Sequence, residues 1–165
     1  MSDLLGFGAM FSPCRTYRYT LWRIWSEVEP VVAFVGLNPS TADESVDDPT
    51  IRRCIGFAES WGYGGLVMLN LFAYRATDPN VMKRVADPVG PDNDGYLCSQ
   101  SNMCGRIIAA WGVHGLHRGR ANRVRLMIDN LHHLGLTKGG HPKHPLYLRG
   151  DTKPTPWNLK EIANA

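Results

Sequence analysis

The residues that could do chemistry in this chain stand where apolar runs stop. Val31 to Val35 gives way to Gly36-Leu37-Asn38-Pro39-Ser40, Leu66 to Leu69 ends in Asn70, and a late glycine- and proline-rich stretch holds His141-Pro142 and His144-Pro145. Gly36 lets a ligand approach the backbone, Pro39 fixes a turn, and Asn38 sets a polar side chain beside it. Each has a plainer reading: a strand-terminal Asn forms turns, and a histidine before proline sits in surface loops. An acidic loop, Asp43, Glu44, Asp47 and Asp48, follows the first motif. Its carboxylates could serve acid–base chemistry, although Asp48-Pro49 first reads as a helix N-cap followed by proline at N1.

Metal chemistry has little support. His114, His117, His132 and His133 have no carboxylate or thiolate at ligand spacing, so solvated histidines are favoured. Cys14, Cys54, Cys98 and Cys104 are scattered without a Cys-x-x-Cys pair, which argues against a disulfide framework or a four-thiolate site. No metal and no cofactor are expected.

The elements that must position these residues follow from periodicity. Arg15 to Trp25 alternates, with Tyr17, Tyr19 and Leu21 against Arg18 and Thr20, as an edge strand or hairpin arm beside the first core strand. Buried strands are expected at about 31–36, 66–72, 106–112 and 134–137. Between them the pattern predicts helices from Pro49 to about Gly62, from Pro79 to Val85, from Asp92 to Cys104 and from Ala121 to His133, and a short polar helix closes the tail. Repeated strand–helix units imply a three-layer α/β/α domain with a four-stranded, mostly parallel sheet and right-handed crossovers. A chain of 165 residues with 44% apolar and 20% charged residues fits one soluble domain, with its core at about 15–157. No apolar run approaches the ~18 residues of a membrane span. The expectation is a cytoplasmic monomer without membrane contact.

Parallel strands end on one edge, so four loops converge there: Gly36–Asp43, Asn70–Arg75, Gly112–Arg120 and Lys138–Gly150. A polar cleft between them is the default site. Charge is uneven, with nine Lys/Arg against twelve Asp/Glu in residues 1–110 and nine against three thereafter, or −3 and +6. A basic final third fits a polyanionic partner, and equally a solvated surface. Arg118, Arg120, Arg123 and Arg125 read first as a charged helix start. If DNA binds, Arg118, Arg120, Lys138, Lys143 and Arg149 are the expected phosphate contacts.

Three of these motifs, Gly-Leu-Asn-Pro-Ser at 36–40, Leu69-Asn70 and His144-Pro145-Leu146, resemble in order the signatures of the uracil-DNA glycosylase superfamily. GLNPSTAD, DDPTIRRC, NLFAYRATDP and HPLYL more closely resemble DUF1643, a bacterial and phage family of unknown function, over about residues 15–157. The glycosylase resemblance implies that Asn38 orients a water for attack at the sugar C1′, Asn70 reads a base edge, and His144 stabilises the departing base. An amide suits base reading because it offers a donor and an acceptor together. Since Asn38 cannot act as a base, the chemistry would be slow, as in branches of that superfamily that carry Asn, or would borrow a carboxylate such as Asp43 or Asp48. The substrate wall would comprise Gly36, Leu37, Pro39, Ser40, Asn70, Phe72, Tyr74 and Arg75, with Phe72 or Tyr74 stacking on the base. His141 competes with His144 for the histidine role. The implied function is a DNA glycosylase-like enzyme. The alternatives are an enzyme acting on a free nucleotide or hypermodified thymidine, and a catalytically idle nucleotide- or nucleic-acid-binding module.

Overall fold

A computed structural model describes residues 6–158. The tail helix expected from sequence lies outside the described residues. Seven strands form one sheet: β1 (Gly6–Phe11), β2 (Arg18–Ile24), β3 (Val31–Gly36), β4 (Gly65–Asn70), β5 (Arg106–Ala109), β6 (Leu131–His133) and β7 (Thr155–Pro156), ordered β1-β2-β4-β3-β5-β6-β7. The expected four-stranded sheet is therefore too small. Its parallel centre, β4-β3-β5-β6, is extended by an antiparallel β1–β2 hairpin on one side and by β7 on the other. The hairpin docks on β4, the second core strand, rather than on β3 as expected.

The helices are α1 (Pro49–Ser60), α2 (Pro79–Arg84), α3 (Asn93–Asn102) and α4 (Arg120–Met127). Strand residues alternate between faces, and two cores follow. Val32, Phe34, Leu66, Met68 and Ile108 pack with Ile51, Cys54, Phe57 and Ala58 of α1. Val31, Ala33, Val35, Val67 and Leu69 pack with Met82, Leu97 and Val124 of the other three helices. The sheet is thus covered on both sides, as a parallel centre requires. Both Asp-Pro signals act as read: Asp48 accepts the Ile51 N–H at 2.9 Å and Asp78 accepts that of Asn80 at 2.9 Å.

The region after β5 departs from expectation. The loop at Gly112–Gly119 winds into a 3-10 segment with a kink at His117 and Arg118. Helix α4 stops at Met127, and residues 131–133, expected to be helical, form the last parallel strand. Leu131 and His133 satisfy period two as well as a helical stripe, and Asn130 with φ 60° makes the turn that resolves the ambiguity. In place of the strand expected at 134–137, Gly135 has φ 118° and only a single bridge forms, Leu136 to Pro142.

Candidate functional site

At the carboxyl edge of the parallel strands, on the α1 side, lies a cavity of about 800 Å3. Gly36, Leu37, Asn38, Pro39, Ser40, Asn70, Lys143 and His144 all line it. Three segments at least thirty residues apart in sequence are brought together there. Parity explains the side: Gly36 and Asn70 are paired in register and follow Phe34 and Met68, which face α1.

Asn38 is braced by its own amide. Its Nδ2 donates to the Ala76 carbonyl at 2.7 Å and to that of Pro39 at 3.2 Å, while the Ala76 N–H returns a bond to Pro39 at 2.9 Å. The carbonyls fix the amide's orientation, and among the described residues no protein donor reaches Oδ1. Asn70 is 2% exposed, and its Nδ2 is buried without a hydrogen-bond partner. Its backbone carbonyl is held by Asn93 at 3.0 Å. Gly36 is opposite for a steric reason: a Cβ there would stand 3.1 Å from Asn70 Oδ1.

His144 begins a one-turn 3-10 segment, Pro145–Tyr147, and its Nδ1 accepts the Leu146 N–H at 3.2 Å. An accepting Nδ1 places the proton of the neutral ring on Nε2. Burial pushes the imidazole pKa below its ordinary 6.5, opposed in part by the Asp48 carboxylate. His144 is therefore a neutral donor near pH 7. Arg53 on α1 fixes this loop by donating to the Leu148 carbonyl. His141 does not line the cavity, which separates the two histidines that sequence left open.

Several expected site residues lie elsewhere. Asp43 is spent on its own loop, its Oδ1 accepting the N–H groups of Ser45 and Val46, which hold the carboxyl below its usual range. Asp48 does line the cavity, with one oxygen capping α1. Phe72 is fully buried beside His117, Tyr74 packs edge-on to Tyr17, and Arg75 stacks on Phe11 and donates to the Arg15 carbonyl. None of the three reaches the cavity, whose aromatic walls are Trp111 and Tyr147.

Of the expected phosphate contacts only Arg120 is withdrawn from the surface. Arg120 is 4% exposed and bound to Asp94 and the Leu71 carbonyl. Arg118 donates to the carbonyls of Val85 and Ala86, and Arg149 pairs with Asp151. Arg118, Arg149, Lys138 and Lys143 all remain exposed.

Sequence reasoning missed Arg18. It is 2% exposed, lines the cavity, and donates from Nη1 to the Ala42 carbonyl at 2.9 Å, while Nε has no partner. Burial lowers its pKa to about 10, with Asp48 acting in the opposite direction. Alternation from Leu21 would turn Arg18 toward the α2–α4 side. A β-bulge, with Met10 opposite Thr20 and Phe11 opposite Arg18, shifts the register by one residue. Tyr19 accordingly stacks on Tyr96 of α3, at 5.0 Å, although Leu21 packs on the α1 side.

Among the described residues no group of three or more His, Cys, Asp or Glu is arranged to hold a metal, and no helix is long and apolar enough to cross a membrane. A family model described as "Protein of unknown function (DUF1643)" matches residues 18–146. No curated protein and no solved structure matches the chain.

Proposed function

The chain belongs to the DUF1643 family, whose activity is unknown, and we propose that it is an enzyme that recognises a nucleobase and hydrolyses its N-glycosidic bond. The observation that carries this reading is Asn70: a residue on the cavity wall whose buried amide nitrogen has no hydrogen-bond partner among the described residues. An unmet buried donor costs about 1–3 kcal/mol, which the acceptor on a base edge would recover. Asn38 Oδ1 and His144 Nε2–H add an acceptor and a second donor from separate loops.

In this proposal Asn38 Oδ1 orients a water, and the Asp48 carboxylate takes its proton. The hydroxide forms a bond to C1′ as the C1′–N bond breaks. The base departs with that electron pair, and His144 Nε2–H stabilises the charge by donating to a carbonyl oxygen of the base. One well-placed donor of this kind is worth about 2.7–4 kcal/mol, or 10²–10³ in rate. Mass spectrometry of oligonucleotides and free nucleotides carrying uracil or modified pyrimidines should detect base release, with His144→Ala slower by that factor. No release from a broad panel, with wild type indistinguishable from an Asn38→Ala, His144→Ala double variant, would overturn the reading.

A further inference from the structure

Among the described residues three arginines are almost fully buried, and two are neutralised in place. Arg23 bonds Asp47 and Arg120 bonds Asp94. Arg18 is the exception. Among the described residues no carboxylate comes within ion-pair distance of it, its only side-chain hydrogen bond goes to the Ala42 carbonyl, and its Nε is buried without a partner.

A buried cation without a counterion is costly. Evolution of a core position would be expected to supply a carboxylate or to remove the charge, and here a bulge in β2 turns the side chain toward the cavity instead. The guanidinium matches the paired oxygens of a phosphate or carboxylate better than any other side chain does. Lys143 lines the same cavity and adds positive charge. Asp48, also on the wall, disfavours a ligand that is anionic throughout and favours one with a neutral part as well.

We propose that the cavity takes a nucleoside phosphate and that Arg18 is the specificity-determining residue that binds its oxyanion. This rests on the nucleobase reading for the identity of the neutral part alone. Two sources share the chemistry, the terminal phosphate of a mononucleotide and the phosphodiester of a single strand.

Calorimetric titration with inorganic phosphate, the four deoxynucleosides, their 5′-monophosphates and the corresponding dinucleoside monophosphates tests the assignment. For at least one base, the phosphate should tighten binding by about tenfold or more, as expected of charge-assisted hydrogen bonds. That gain should shrink in Arg18→Lys and vanish in Arg18→Met. Asp48→Asn keeps a good helix cap, removes a negative charge from the wall, and should tighten inorganic phosphate, an arm that holds even if Arg18→Met does not fold. A gain confined to monophosphates names a free nucleotide, and one shared with the dinucleoside monophosphates names a strand. Equal affinity for nucleosides and all phosphates, or a phosphate gain that survives in folded Arg18→Met, overturns the proposal. Base release without phosphate preference overturns it and leaves the nucleobase reading standing. A phosphate preference through Arg18 with no base release from any substrate does the reverse.

Discussion

Arg23 and Arg18 leave the same strand five residues apart, and their surroundings differ in one respect that separates scaffold from site. Arg23 is 0% exposed and bonded throughout: Nε to Asp47 at 2.8 Å, Nη1 to the carbonyls of Gly8, Trp22 and Glu44, and Nη2 to that of Asp43 at 2.7 Å. It ties the β1–β2 hairpin to the acidic loop before α1. Arg18 is buried as deeply but holds only the Ala42 carbonyl, and it borders open volume. A saturated guanidinium is explained by the fold that saturates it. An unsaturated one on a cavity wall is explained by what enters the cavity.

The largest expected effect breaks the first half of that contrast. Arg23→Met leaves Asp47 and several carbonyls without their donor and should cost about 3–5 kcal/mol in urea unfolding. A loss below about 1 kcal/mol would mean that Arg23 is no more structural than Arg18. Next comes Asn38→Asp, which sets a carboxylate against the Ala76 carbonyl now 2.7 Å from the amide nitrogen. It should destabilise by about 1–3 kcal/mol and fail to accelerate base release. Faster release in this variant would show that the amide serves chemistry alone.

A smaller effect concerns pH. The folded pKa of His144 lies below its ordinary 6.5, so near that pH the unfolded chain binds the proton first. Its contribution to stability is full above 6.5 and is lost as pH falls through the lowered folded value. His117 and His132 shift in the same direction through burial, so the comparison of wild type with His144→Gln isolates the term. The imidazole NMR titration of His144 should have its midpoint below 6.5, and a midpoint above it would remove the neutral Nε2–H donor. The smallest effect completes the contrast. Arg18→Met exchanges one hydrogen bond for relief of an uncompensated charge and should move stability by no more than about 1 kcal/mol, whatever it does to phosphate binding.

The first three parallel strands were legible because short apolar runs bounded by turn signals read as strands buried on both faces, and the convergence of Asn38 and Asn70 followed from their places at the ends of β3 and β4, whereas His144 reaches the cavity from a loop that no strand at 134–137 precedes. The helix starts at Asp48-Pro49 and Asp78-Pro79 were legible because capping is local chemistry. Residues 131–133 were not, since three residues fit either period and their pairing with β5 is a long-range fact. Phe72 and Tyr74, expected to stack on a base, turn inward to the core, while Trp111, expected as strand, lines the cavity.

By itself the sequence determined where β3, β4 and β5 run, which aspartates cap α1 and α2, and that Asn70 stands at a strand end, because each depends on neighbours in the chain. Tertiary structure alone decided that Arg120 is buried in an ion pair, that Asp48 rather than Asp43 faces the cavity, and that Arg18 looks into it. The reason is geometric. A one-residue bulge reverses which face of a strand a side chain meets, and whether a buried charge finds its partner depends on residues that only folding brings near.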